Sequence, residues 1–286
     1  MMRPIRSSGF VTRIAGVAGV ACVACASGSG SAPRSGAPVR ASGQRDGLEV
    51  PAGCSVEDPC ALAAGTYVTE QGGFLPGLRF SVPAGWSSTS TSVGELELHP
   101  TDTPGKGGAE WPYREVLLFS DAVLYDDGRR VSELGTPPES LVRILASNRR
   151  FTVSPAVGHT IGSIAAPGVK ARRPLPFLTV TVAISPTATA DAGDCPPEAV
   201  CVDLLRIERF DNPYTLTRNF PDAMLPARGR LATRVSFASI GTPRHPRTLT
   251  IALSTYAVDP EPELAALERQ AAPILDSLVV PHPADE

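Results

Sequence analysis

The feature that most constrains the fold of this chain is a series of short segments in which apolar and polar residues alternate, separated by prolines and glycines. Such segments predict β-strands, because successive side chains of a strand point to opposite faces of a sheet. Between the last two segments, GTPRHPR (241–247) predicts a hairpin loop, and Asp127-Gly128 predicts a tight turn. The predicted strands are residues 78–82, 96–98, 114–125, 177–185, 200–207, 233–240 and 248–258.

Two segments have helical spacing instead. Thr136-Pro-Pro-Glu139 is the pattern of a capping box with proline at the first helical position, and it predicts a helix that ends before Asn148. The second helix is predicted to begin after Asp259 as N-cap, and Pro273 is expected to bend or restart it. Two main helices among mostly antiparallel strands predict an α+β sandwich.

Two short motifs carry a family resemblance. A strand running into V-P-x-G-W (Val82 to Trp86) and a last helix ending in I-L-D-S-L (Ile274 to Leu278) resemble the PsbP/Mog1-like fold. More narrowly, GTYVT, LPGLRFSVPAGW, ESLVRIL and APILDSL are similar to uncharacterised secreted lipoprotein domains of GC-rich bacteria, over residues 61 to 280. The resemblance implies that Trp86 and Leu275 pack in the core. It also implies a binding or assembly role without enzymatic activity, and it carries over no catalytic residues.

The N-terminus is typical of an export signal. Thirteen small apolar residues, Ile14 to Ala26, follow three arginines and no acid, which predicts a signal peptide over residues 1–26. Cys22 and Cys25 form a Cys-x-x-Cys pair, but no second ligand pair follows at zinc spacing. Either the chain is cleaved before Ser27 and secreted, or Cys25 becomes a lipidated N-terminus. We favour Cys25, because a Ser/Gly/Pro-rich stretch (27–52) follows it as a disordered tether.

The four remaining cysteines also indicate export. Cys54 and Cys60 bracket five residues, as do Cys195 and Cys201. Four cysteines allow three pairings, and the equal gaps favour two local disulfides, which persist in oxidising compartments. Zinc sites favour closer ligand pairs, so a four-cysteine metal site is the weaker interpretation. Residues 53–281 are predicted to form a single domain, followed by a short tail at 282–286.

Charge and hydropathy exclude some partners. Three of the 26 basic residues lie in the predicted signal. The mature chain would therefore have 23 basic and 29 acidic residues, which gives a net charge of −6. No basic stripe with interleaved aromatic residues is visible, which argues against nucleic acid as a partner. No apolar run is long enough to span a bilayer, so membrane attachment would have to be through the N-terminus.

Catalytic motifs are weak in this sequence. Of the four histidines (His99, His159, His245 and His282), His159 is the only one expected near a core strand edge, and a surface role explains it best. GKGG at 105–108 lacks the remainder of a phosphate loop. Asp126-Asp127 is explained by a hairpin turn, and Asp191 and Asp194 by a solvated loop. The sequence therefore predicts no catalytic residues, no metal site and no cofactor.

Two functions of different class remain. The first is a membrane-tethered, non-catalytic extracytoplasmic module that binds an envelope protein or a small ligand. The alternative is a secreted hydrolase without a recognisable motif. A polar pocket that gathers His159 with carboxylates would favour the hydrolase, whereas an apolar groove without convergent titratable groups would favour the binding module.

Overall fold

The computed structural model describes a defined part of the chain. The described residues are 47–51, 54, 58–69, 74–92, 94–101, 113–126, 129–165, 172–189, 195, 199–207, 212–218 and 229–281. The predicted signal peptide with Cys25, most of the predicted tether and the tail at 282–286 lie outside them.

Strands dominate the described residues. The strands are β1 (Leu48–Glu49), β2 (Cys60–Leu62), β3 (Gly65–Val68), β4 (Arg79–Val82), β5 (Trp86–Ser92), β6 (Glu95–Pro100), β7 (Tyr113–Ser120), β8 (Ala122–Asp126), β9 (Arg129–Arg130), β10 (Phe151–Val153), β11 (Val157–Ala165), β12 (Arg172–Ile184), β13 (Val200–Ile207), β14 (Asn212–Arg218), β15 (Arg230–Ser239), β16 (Thr248–Ala257) and β17 (Val279–Val280). The helices in this part of the chain are α1 (Pro138–Ser147) and α2 (Pro260–Asp276).

The predicted α+β class, and with it the PsbP/Mog1-like sandwich, is wrong. The chain is mostly β, with a large mixed sheet that makes it largely a β-sandwich. Several strands lie in segments without a clear apolar alternation, such as WSSTSTS in β5 and VGHTIGSIA in β11. Their pairing partners, rather than their own side-chain pattern, make them strands.

The central part of the sheet is antiparallel. Its strands follow the order β12, β15, β16, β7, β6, β5 and β2, each paired with the next. Beyond β12, strands β10 and β11 share its outer edge one after the other. Strand β11 also pairs in parallel with β17, which joins β4, and β13 pairs with both β8 and β14.

Side-chain alternation gives this sheet two apolar faces. Leu98 and Val116 belong to a first core beneath α2, together with Trp86 and Leu275 as the resemblance implied. Their alternate neighbour Leu117 belongs to a second core, which α1, β13 and β14 cover. Both faces of the sheet are therefore buried along its centre, which explains the long apolar runs of β7 and β16.

The start of α1 differs from the prediction, whereas the start of α2 agrees with it. The N-cap of α1 is Pro137 and makes no side-chain cap, so the predicted capping box is absent. The Thr136 hydroxyl instead donates to the Glu133 carbonyl at 2.7 Å and accepts the Glu133 N–H at 3.0 Å. Asp259 is the N-cap of α2 as predicted, and this helix continues through Pro273 without interruption.

One predicted strand is divided by a corner. Residues 114–125 form β7 and β8, separated at Asp121, whose φ is +59°. The Asp121 carboxylate accepts two hydrogen bonds from the Arg247 guanidinium, at 2.9 and 2.7 Å. This charged pair holds the corner against the loop between β15 and β16.

The folded region begins earlier than predicted. β1 pairs in parallel with β3, and Val50 lies in the first core, although residues 27–52 were expected to be a tether. β1 is only two residues long, and GLEV has no alternation that distinguishes it from the preceding polar stretch.

Both predicted disulfides are present. Cys54 pairs with Cys60 and Cys195 with Cys201, with Cα–Cα distances of 5.4 and 5.7 Å. Disulfides persist in oxidising compartments, so these two indicate an extracellular or otherwise oxidising environment. Within the described ranges, no helix is long and apolar enough to cross a membrane.

Candidate functional site

A groove lies where the N-terminal end of α1 approaches the outer edge of the sheet. Its volume is about 550 Å³, and its walls come from α1, β11, β12 and β15. The lining residues are Pro138, Glu139, Gly158, His159, Thr160, Pro176, Phe177, Leu178, Phe237 and Ser239. Most are apolar or small, which suits a ligand bound mainly by shape and by main-chain contacts.

His159, the histidine singled out from the sequence, lines this groove beside Phe177. It is opposite Phe177 in the β11–β12 register, and the two rings stack with centroids 6.5 Å apart. Its Nδ1 lies 3.4 Å from the Thr179 hydroxyl. Phe177 belongs to the first core, whereas the groove residue Phe237 belongs to the second. His159 and Phe177 therefore lie on the opposite strand face from Gly158, Leu178 and Phe237, and residues of both faces line the groove.

The wall formed by β11 is a strand edge. Residues Val157 to Thr160 pair with β12 on one side, and no other described strand pairs with them. Thr160 is opposite Pro176, which has no N–H, so these two residues cannot exchange a pair of hydrogen bonds. The N–H and C=O groups of Thr160 must therefore point outward, away from β12. The pattern repeats every second residue along an antiparallel strand, so the same groups of Gly158 also point outward.

A second candidate site is a buried cluster of titratable side chains on β6 and β7. Glu97, His99 and Glu115 are 8, 9 and 6% exposed. Alternation places Glu97 and His99 on one face of β6. The pairing of Leu98 with Val116 then sets His99 opposite Glu115. One ligand atom from each of the three residues lies within 4.8 Å of the others, so the cluster can hold a metal ion.

The hydrogen bonds around His99 fix its ring. Nδ1 lies 3.0 Å from the Arg114 carbonyl, and a carbonyl can only accept, so Nδ1 carries the proton of that bond. Nε2 lies 2.8 Å from Glu97 Oε1 and 2.9 Å from the Thr89 hydroxyl. Nε2 is therefore the ring nitrogen that faces the carboxylates.

Glu115 is held from the other side by Tyr214. The phenol donates to Glu115 Oε1 at 3.0 Å, and its oxygen lies within hydrogen-bonding distance of the Ser254 and Thr233 hydroxyls. The register pairs Glu115 with Ser254 and Ser254 with Thr233. A polar row thus crosses the otherwise apolar second face of the sheet.

Burial and nearby charge have opposite effects on the pKa of His99 and the same effect on the pKa of Tyr214. Burial lowers the pKa of His99, but the hydrogen bond and charge of Glu97, the charge of Glu115 and the Arg114 carbonyl together raise that pKa above its ordinary value. Burial raises the pKa of Tyr214 well above its ordinary value, and the Glu115 charge adds to the effect. The tyrosine therefore acts as a neutral donor to Glu115.

Of the other sequence candidates, His245 and Asp126 lie among the described residues, and they sit in different hairpins. His245 lies exposed in the loop between β15 and β16, and Asp126 pairs with Arg129 across the β8–β9 hairpin. Asp127, Asp191, Asp194, His282 and residues 105–108 lie outside the described residues. The Glu97–His99–Glu115 cluster was not predicted from the sequence. The available signal was ELELH, whose alternation puts both groups of β6 on one strand face.

Comparison of the chain with protein-family models found no matching family, and comparison with curated proteins found no significant match.

Proposed function

We propose that this protein is a lipid-tethered, non-catalytic module outside the bacterial cytoplasmic membrane that binds an extended segment of an envelope protein. The segment adds to the sheet along β11 and places alternate side chains in the groove. The observation that carries this proposal is the outward-facing main chain of Gly158 and Thr160 beside that groove.

The composition of the groove supports peptide binding. Thr160 and Gly158 offer donors and acceptors at strand spacing, and both are exposed. Pro138, Pro176 and Leu178 provide apolar contacts beside them. In strand addition, main-chain hydrogen bonds provide affinity, and pockets for every second side chain provide specificity. One short groove beside the strand edge is therefore sufficient to select a peptide sequence.

The position of His159 favours binding over hydrolysis. Its ring stacks on Phe177 and contacts the Thr179 hydroxyl, whereas Glu139, the carboxylate of the groove, sits in the first turn of α1. A hydrolase needs a base within hydrogen-bonding reach of a nucleophile or water at the bound substrate.

The N-terminal sequence supports the tether. An apolar segment of thirteen residues follows three arginines, and a Ser-Gly run follows Cys25. The two disulfides agree with a location outside the cytoplasm.

The test is site-specific photo-crosslinking in bacterial cells that express the full chain. A photo-reactive amino acid replaces Val157 on the proposed docking edge or, as the matched control, Val258. The two valines are comparably exposed, at 62 and 63%. We expect one discrete protein adduct at position 157 and none at position 258.

A second change separates strand addition from chance contact. Thr160→Pro removes an outward N–H without removing a hydrogen bond to β12, so the fold is retained and the adduct is lost. His159→Pro removes the N–H that faces β12, and with it a hydrogen bond of the sheet. It therefore shows how a proline that disturbs the fold affects the adduct. An adduct at position 157 that is unchanged by Thr160→Pro would contradict the proposed binding mode.

A further inference from the structure

We propose that Glu97, His99 and Glu115 bind a divalent transition-metal ion, with Zn²⁺ as the expected ion. The site is built from different residues than the groove, so it does not depend on the proposed function. One imidazole nitrogen and two carboxylates form a three-ligand set that zinc accepts, and all three side chains are buried.

The groups around the ligands fit this assignment. A metal-bound histidine usually donates its second N–H to a carbonyl or carboxylate, and His99 Nδ1 does so to the Arg114 carbonyl. Ligating carboxylates are usually hydrogen-bonded as well, and Glu115 accepts from the Tyr214 phenol. These outer contacts come from main chain and from β14, outside the ligand set itself.

The direct contact between two ligands also points to a cation. With its Nδ1 proton committed to Arg114, neutral His99 presents a lone pair from Nε2 to Glu97 Oε1 at 2.8 Å. Two acceptors at that distance require a positive species, either a proton or a metal ion. A divalent ion bound here would take the place of that proton and would neutralise the carboxylates that ligate it.

The ligand chemistry selects the ion. Calcium takes six to eight oxygen ligands, and copper(I) prefers sulfur, so neither suits one nitrogen and two carboxylates. Zinc binds such ligands at about 2.0–2.2 Å. The ligand atoms, which now lie within 4.8 Å of one another, need only small rotations to surround it. The bound ion would link β6 to β7 on the second face of the sheet.

The experiment is a zinc titration of the full chain after chelator treatment. Cys22 and Cys25 are replaced by serine in every protein, so that no thiol outside the disulfides competes for the ion. Calorimetry measures affinity and stoichiometry, and circular dichroism confirms folding. The variants are Glu115→Gln and His99→Gln, and His159→Gln is the matched control on a strand of the same sheet.

We expect one zinc ion per chain for the unchanged cluster and for His159→Gln, and an affinity at least tenfold weaker for Glu115→Gln and His99→Gln. If both cluster variants fail to fold, X-ray absorption of the zinc-loaded protein decides the question. It should show one imidazole with oxygen ligands and no sulfur. Absence of saturable binding, unchanged affinity in folded cluster variants, or a spectrum without imidazole would overturn the proposal.

Discussion

At the scale of single residues, Gly162 shows how closely β11 approaches Leu278, which lies between α2 and β17. Its φ is +57°, and it sits in the register shift of β11 between Thr160 and Ser163. A Cβ atom at Gly162 would lie 2.4 Å from the Leu278 carbonyl oxygen, which accepts the Ser163 N–H at 2.8 Å. Only glycine satisfies both the backbone conformation and this contact.

Gly162→Ala should therefore destabilise the protein by at least about 2 kcal/mol, because strain in the left-handed region adds to the steric clash. Gly158→Ala is the control in the same strand. Its added Cβ would meet Leu178 at an ordinary 3.9 Å, so we expect almost no change. Urea unfolding followed by circular dichroism measures both. Equal stability of the two variants would show that the close approach at Gly162 has no energetic effect.

The same scale shows what the sequence could reveal of the buried cluster. Alternation in ELELH puts Glu97 and His99 on one strand face, and this much is readable from the sequence. Glu115 joins them only through the β6–β7 register, and Tyr214 only through β14. Neither partner lies at a fixed spacing from His99, which is why motif-based reasoning predicted no metal ligands.

At the scale of elements, α2 contains an interior proline at an exposed position. Pro273 cannot donate to the carbonyl four residues earlier, and its ring crowds that carbonyl. Pro273→Ala should stabilise the protein by about 1–3 kcal/mol, since alanine restores the N–H and is the best helix former. Thermal and urea unfolding measure the gain.

Pro262→Ala is the matched control for that prediction. Pro262 is also exposed, but it lies in the first turn of α2, where backbone N–H groups have no partner within the helix. We expect a change of less than about 0.5 kcal/mol. A similar effect of both substitutions would mean that the interior position of Pro273 has no special cost.

Elements with strong patterns were predicted, and those that depend on neighbours were missed. The segments of β13, β15 and β16 alternate or are continuously apolar, and the sequence located all three. β14 (NPYTLTR) and β11 contain proline or glycine and many polar residues. Each is held as a strand by a long antiparallel partner, β13 for β14 and β12 for β11. These missed strands changed the fold class from α+β to mostly β.

At the scale of the whole molecule, the two disulfides close loops of equal length, each six residues apart in sequence. Through loop-closure entropy, each disulfide should add about 2 kcal/mol to the free energy of unfolding. Replacing both cysteines of either pair by alanine should therefore lower the free energy of unfolding by about that amount without unfolding the protein. Cys201 is buried, whereas Cys54 and Cys60 are half-buried. Replacing the 195/201 pair should therefore lower the free energy of unfolding slightly more than replacing the 54/60 pair. Urea unfolding measures both, and a 54/60 loss larger than the 195/201 loss would contradict this ranking.

The attachment of the whole molecule to a membrane is predicted to depend on Cys25. A diacylglyceryl thioether with N-acylation supplies more than one buried chain, which stable anchoring requires. Cys25→Ser should therefore move the protein from the membrane fraction to the medium, or leave it unprocessed. Its melting temperature should not change, since residues 45–286 form a compact unit of their own.

Cys22→Ser is the matched control for the anchor, because it alters the same apolar segment but leaves the proposed lipidation site. We expect this variant to stay in the membrane fraction, with a lipid-modified Cys25 found at its N-terminus by mass spectrometry. A lipid-free N-terminus at Ser27 in the unmodified sequence would show that the protein is secreted. The proposed peptide groove and the proposed metal site would then act in free solution rather than at the membrane surface.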